Sequence, residues 1–220
     1  MKGDLKIDWC SYKAAKYAVE HWHYSRCMPV GKLVKVGVWE RGLFVGVVLF
    51  GRGANRNLFS PYGLGQTEGA ELVRVALTKH QTPVSRIIKI AVMFLTKQSK
   101  KLRLIVSFAD SAKGHHGGIY QAGGWSYLGE LKQASTAIHN GVVAHKRTFD
   151  CKGIRGYKLL PAEIKHRYLM PLDKEMKAQI EPLSKPYPKR VTKASSSDQL
   201  ESGGAIPTHT LQSAETYVGH

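Results

Sequence analysis

The stretch from Glu71 to Asp110 constrains the fold most. ELVRVALT (71–78) is an apolar, β-branched run that reads as a strand. Thr82-Pro83 then supplies a helix N-cap followed by proline at the first helical position. SRIIKIAVMFLTKQ places Ile87, Ile88, Ala91, Val92 and Leu95 on one helical face. LRLIVSFAD (102–110) reads as a second strand. A strand–helix–strand of this length closes as a right-handed crossover with its strands parallel. That predicts an α/β fold with a mixed sheet, and open sheets of this kind place ligands beyond the carboxyl ends of parallel strands.

The flanking segments fit that frame. In SYKAAKYAVEHWHYS, Ser11 is placed as an N-cap, and Ala14, Tyr17, Ala18, His21, Trp22 and Ser25 share i, i+3, i+4 spacing, which predicts a helix. KLVKVGVWE (32–40), the turn Arg41-Gly42 and LFVGVVLFG (43–51) form a hairpin; its second strand is apolar on both faces and therefore central. GRGANRNLFSPYGLGQTEG (51–69) is a long Gly/Asn/Pro-rich loop of the kind that carries function. GGIYQAGGW predicts a short helix ending at Gly123-Gly124, then WSYLGEL a strand. Asn140-Gly141 between STAIH and VVAHKR predicts a second hairpin.

Charge narrows the partners. Lys and Arg number 33 against 16 Asp and Glu, a net charge of +17. From residue 174 onward, Lys174, Lys177, Lys185, Lys189, Arg190 and Lys193 face Glu175, Glu181, Asp198, Glu201 and Glu215. All but one unit of the excess therefore lies on residues 1–173, the expected folded domain, and a polyanion such as nucleic acid is the natural partner. Residues 174–220, rich in Pro, Ser, Gly and Lys, read as a disordered tail. Cys10, Cys27 and Cys151 are odd in number and widely spaced, which fits a reducing compartment and no zinc site. The chain has neither an 18-residue apolar run nor an apolar leader, so a cytoplasmic location away from membranes is expected.

The element order, ending in a strand, an acid, a loop and IYQAGGW, is similar to the GCN5-related N-acetyltransferase (GNAT) fold. More closely, HYSRCMPVGKLVKVGVWE, FGRGANRN, ELVRVAL, TPVSRII and SFAD–GHHGGIYQAGGW together resemble the phage Mom DNA-modification proteins over about residues 20–130. The resemblance implies an acetyltransferase-like domain over 1–173 that transfers a carbamoylmethyl group to adenine N6 in phage DNA. The product, N6-carbamoylmethyladenine, shields the DNA from restriction in the cytoplasm of the infected host. The implied partner is double-stranded DNA, and a homodimer is the assembly considered. The implied cofactor is an activated two-carbon donor of acyl or glycyl type. One departure bears on it: acetyltransferases cradle coenzyme A pyrophosphate in a Gly-containing loop before the helix after their fourth strand. Here that loop is LTKHQTPVSR, without glycine and with Pro83 lacking a donor, which argues against acetyl-CoA.

Individual residues carry two readings each. Asp110 at a strand end could accept a proton from an attacking amine, or cap a turn. Tyr120 could donate to a leaving group or orient the base, or be a packed aromatic; in the resembled families the matching Tyr faces the reaction centre. Strict alternation puts Arg74 on one face with Leu72 and Ala76. Its charge needs a partner there: Asp110, Glu71, or an anionic substrate group. His23, Tyr24 and Ser25 close the first helix, where a histidine can simply compensate the dipole. The resemblance implicates this HYS in the site and in iron binding, with His23, Asp110 and His115 or His116 as ligand candidates. Arg52, Asn55, Arg56 and Asn57 suit phosphate and adenine-edge contacts, or turn chemistry. Gly114, Gly117 and Gly118 allow backbone close to a substrate, and Ser107, His115 and His116 join the substrate-binding candidates. Two other classes fit the composition: an acetyl-CoA-dependent N-acetyltransferase acting on a small amine or protein, and a non-catalytic basic DNA-binding protein.

Overall fold

The hairpin forms where its sequence predicts. A computed structural model, describing residues 5–53, 55–134 and 136–188, places β2 at Leu33–Glu40 and β3 at Leu43–Gly51. Arg41 and Gly42 both take positive φ (51° and 78°), the turn geometry that matches the twist of paired strands. β1 (Leu5–Trp9) lines the outer edge of β2, and β4 (Gly69–Leu77) pairs antiparallel with β3. β5 (Leu104–Asp110) then runs parallel to β4, joined through α2 (Val84–Gln98), as the crossover requires. α2 buries the five apolar residues its periodicity selects, at roughly 1.5–3 kcal/mol for each of Ile87, Ile88, Val92 and Leu95 and less for Ala91. Its N-cap is Pro83 rather than Thr82, one residue later than expected.

Two strands of the large sheet had no clear sequence signal. One is β1. The other is β10 (Glu163–Pro171), which inserts between β5 and β6 (Ser126–Gln133) and pairs antiparallel with both. The seven-stranded order β1-β2-β3-β4-β5-β10-β6, mixed only at the parallel β4–β5 pair, is the mixed sheet the crossover predicts. Between β6 and β10 lie β7 (Thr136–His139), β8 (Val142–His145), α4 (Lys146–Cys151) and β9 (Lys158–Leu159); the three strands form a separate small sheet. α3 (Gly118–Gln121) is the short helix before Gly123-Gly124.

The two faces of the large sheet bury different partners. Val48, Phe50, Leu72 and Ile105 meet α2 on one face. On the other, Val47, Leu49 and Ala76 meet α1 (Tyr12–Trp22), capped by the Ser11 side chain as expected. α1 buries Ala15, Ala18 and Val19, whereas Tyr17 and His21 are exposed and stack on each other at 4.1 Å. Farther along that face, Leu104, Val106 and Leu169 pack with Phe59, Tyr62 and Leu64 of the long loop.

The domain extends past the expected boundary. α5 (Lys174–Ile180) is capped by Asp173 and buries Met176 and Ile180 against that same cluster. Beyond it, the Lys185 amide donates to the Tyr127 carbonyl and the Tyr187 hydroxyl to the Trp125 carbonyl. Residues 174–188 are thus part of the domain, because two apolar side chains one helical turn apart suffice to dock a short helix. The rest of the expected tail lies outside the described residues. Cys10 and Cys27 are free thiols, and no helix among the described residues is long and apolar enough to cross a membrane.

Candidate functional site

β4 and β5 pair only from Gly69↔Leu104 to Leu72↔Ser107, then diverge. A bulge on β4 lies at the same point: Phe50 pairs with Leu72 and Leu49 with Arg74, leaving Val73 as the extra residue. The bulge breaks the alternation assumed from sequence. Leu72 faces α2, while Arg74, opposite Leu49, turns with Ala76 toward α1. Arg74 therefore does not share a face with Leu72. Its Nη1 donates to the Val73 carbonyl at 2.8 Å, and its Nε is buried without a hydrogen-bond partner.

The C-terminus of α1 delivers His23 and Tyr24 to this opening. The Arg74 charge and the carboxylates of Asp110 and Glu163 all act on the Tyr24 phenol, whose pKa burial raises. The Tyr24 ring lies 4.2 Å from His23 and 5.2 Å from His115. Burial, then Arg74 and His115, push the His23 imidazole down to about 4, so it is neutral near pH 7. Both the Ser25 hydroxyl (2.8 Å) and the Ser25 amide (3.1 Å) converge on His23 Nδ1. Since a backbone N–H can only donate, Nδ1 carries the lone pair and the ring proton sits on Nε2. Ser25 therefore orients His23.

Asp110 caps a turn and leaves one carboxylate oxygen uncommitted. Its Oδ1 caps the turn over Ser111–Lys113 by accepting the Ala112 amide at 3.1 Å. No further hydrogen bond or ion pair among the described residues engages Oδ2. Ser107 and Tyr120 are more enclosed than expected. Ser107 is fully buried and donates to the Leu72 carbonyl at 2.8 Å, while Tyr120 is 7% exposed with its hydroxyl 2.7 Å from Ser107 Oγ. One serine proton cannot serve both, so Tyr120 donates to Ser107. Burial pushes the Tyr120 phenol up to about 12. Ser107 is thus not a surface contact for DNA, and Tyr120 braces the point where β4 and β5 diverge.

The loop after Asp110 is held from beneath by Tyr168 and Gln121. Tyr168 donates to the His116 carbonyl at 2.5 Å, and Gln121 Nε2 reaches that carbonyl and the Tyr168 hydroxyl. Gly117, at φ 84°, lies flat on the Tyr168 ring, where a Cβ would come within 2.2 Å of it. The close approach this glycine permits is to Tyr168, not to a substrate.

Other candidates sit apart. Arg52 borders a cavity of about 500 Å³ with Lys32, Gly69, Lys100 and Lys101, where β4 and β5 begin. A larger cavity of about 930 Å³, beside Arg103 and Asp173, is at that end too. Asn55 accepts the Asn57 amide in a turn, and Arg56 is exposed; no contact among the described residues links them to Asp110. No three His, Cys, Asp or Glu side chains among the described residues come together as metal ligands. The His23, Asp110 and His116 set is not assembled, and the protonated Nε2 of His23 offers no lone pair, so the donor set does not fit iron.

Glu40 had no sequence signal tying it to the loop before α2. Its carboxylate accepts the Gln81 amide at 2.8 Å and the Thr82 amide at 2.7 Å. Bonds from Thr82 and Gln81 hold it below the usual carboxylate range. Two of the loop's N–H groups, those of Gln81 and Thr82, are thus engaged by an internal anion. Glu163, Tyr168 and Gln121 were also missed. Glu163 and Tyr168 lie on the unread β10, while Gln121 lies in the short helix predicted from GGIYQAGGW but carried no signal of its own.

The model of the Mom protein family matches residues 4–189. No curated protein matches the chain. Solved structures of similar shape include a Bacillus subtilis acetyltransferase in complex with CoA, at 10% identity and TM-score 0.46, covering 78% of this chain and 100% of that one. An IAA acetyltransferase from Bacillus cereus matches at 12% identity and TM-score 0.44, covering 77% and 100%. A GNAT family acetyltransferase from Elizabethkingia anophelis with acetyl-CoA bound matches at 10% and 0.43, covering 77% and 99%.

Proposed function

Because this chain belongs to the Mom protein family, we propose that it converts adenine in phage DNA to N6-carbamoylmethyladenine, protecting that DNA from restriction in the infected cell. The observation that carries the reading is the convergence of His23, Tyr24, Arg74, Asp110 and His115 on the open end of the β4–β5 divergence. The net charge of +17 supports a duplex DNA substrate, held mainly through its phosphates.

N6 is paired inside a duplex, so the adenine is flipped into the cleft. Asp110 Oδ2 accepts one N6 proton as the amine attacks the carbon of an activated two-carbon donor. One N–C bond forms, and the bond from that carbon to its leaving group breaks, the electron pair departing with the leaving group. The Nε2–H of His23 donates to developing negative charge, as a neutral imidazole can. Arg74, with an unpartnered buried Nε, holds an anionic or carbonyl group of the donor. Tyr120 and Ser107 brace the point where β4 and β5 diverge. Engagement of the Gln81 and Thr82 amides by Glu40 supports a donor other than coenzyme A.

The test is mass spectrometry of nucleosides from DNA of cells expressing the protein. N6-carbamoylmethyladenine is expected; unmodified adenine at full expression of folded protein would overturn the reading.

A further inference from the structure

The basic insert between β6 and β10 has no part in the cleft chemistry, yet it emerges beside the cleft. The chain leaves β6 after Gln133 and returns at Glu163, whose charge acts on Tyr24. Two residues on, Lys165 pairs with Asp110, and Ser111 Oγ donates to the Ile164 carbonyl at 2.6 Å. The insert is thus rooted at the end of β5 that carries the site.

It is also a built unit. Ala137 and Phe149 are buried, and Phe149 stacks on Tyr157 at 5.4 Å and 25°. Its hairpin tip turns through Asn140 and Gly141 at positive φ (47° and 77°), followed by Val142 and Val143 at 59% and 56% exposure. Within residues 134–162, Lys146, Arg147, Lys152, Arg155 and Lys158 face Asp150 as the one acid. Asp150 is already engaged by the Tyr157 hydroxyl at 2.8 Å and by Arg155 at 3.7 Å. Lys152, Arg155 and Lys158 are exposed.

We propose that this insert is the duplex-DNA grip of the enzyme: its basic side chains bind phosphates flanking the target adenine, and its apolar tip seats in a groove. The proposal rests on the DNA-modifying function given above. Charge complementarity and the root beside Asp110 select this partner, and groove-binding proteins insert apolar side chains against the bases.

The experiment is fluorescence anisotropy of the full chain on a 20-base-pair duplex over a salt series. The triple variant Lys152→Ala/Arg155→Ala/Lys158→Ala should keep the wild-type melting temperature and lose at least about tenfold in affinity. Its salt slope should be shallower by about 2 to 3, near 0.9 for each lost phosphate contact. Val142→Ser/Val143→Ser should weaken binding with the slope unchanged, because valine neutralises no phosphate. Lys97→Ala/Lys100→Ala/Lys101→Ala, at the other end of the sheet, should change binding less. Wild-type affinity and slope in the insert variant, or an equal loss in the Lys97 set, would overturn the grip and leave the DNA-modifying function standing. A duplex RNA that displaces the DNA at equal concentration would overturn DNA as the partner. Absence of wild-type binding at every salt concentration would overturn the functional reading itself.

Discussion

Tyr120 and Ser107 form a hydrogen bond of 2.7 Å at the last registered step of the β4–β5 ladder, and the Ser107 hydroxyl in turn donates to the Leu72 carbonyl across the gap. A side chain thereby bridges the strands where the ladder ends. Ser107→Ala removes the serine donor to the Leu72 carbonyl, leaves the buried Tyr120 phenol without a partner, and should cost about 1–3 kcal/mol. Tyr120→Phe keeps the Ser107–Leu72 bond and should cost less, about 0.5–1.5 kcal/mol. Urea unfolding of both variants checks the order; a larger loss for Tyr120→Phe would refute the latch.

Asp110→Asn preserves an oxygen for the Ala112 amide, so melting should not change. The amide cannot take the N6 proton, and modified adenine should fall by ~10²–10⁴. If the variant modifies DNA at the wild-type level, Asp110 is only a cap.

His23 makes stability depend on acid pH. Its imidazole is lowered from the usual 6.5 to about 4, so between those values the unfolded chain binds a proton that the native state refuses. Stability should therefore fall as pH drops from about 6.5 towards 4. His23→Asn should flatten that part of the melting-temperature profile. An unaltered profile in the variant would show that His23 is not held neutral.

Truncation locates the domain end. A chain of residues 1–188 should melt like the full chain. A chain ending at residue 179 loses Ile180, which is fully buried, and the Tyr187–Trp125 bond. Its loss should be at least the ~2–5 kcal/mol of a buried Ile truncation. Equal melting of the two truncations would place the boundary before α5.

Coenzyme A gives the sharpest test against an ordinary acetyltransferase. With the Gln81 and Thr82 amides engaged by Glu40, calorimetry should show no saturable coenzyme A binding. Saturable binding that Glu40→Gln strengthens would mean the carboxylate is displaced by ligand, and the donor would have to be reconsidered.

The sequence by itself determined the elements whose signals are local. The α2 face, the Ser11 cap and both hairpin turns follow from helical period and turn chemistry within short windows, and the parallel crossover from the single connection between Glu71 and Asp110. The Asp110 position followed too, because strand ends are readable. The rest depends on residues far apart in sequence and is legible only once the chain has folded. β10 joins β5 from more than 50 residues away and brings Glu163 and Tyr168 to the site. A single extra residue at Val73 rotates Arg74 away from Leu72, because side-chain direction in a strand has a period of two and an unpaired residue reverses it. Glu40 meets the loop before α2 across some 40 residues, and Tyr120 becomes a buried brace only because the sheet and Trp125 close over its ring. Composition gave the charge; placing the basic insert beside Asp110 required the fold, because a surface exists only once the chain has returned upon itself.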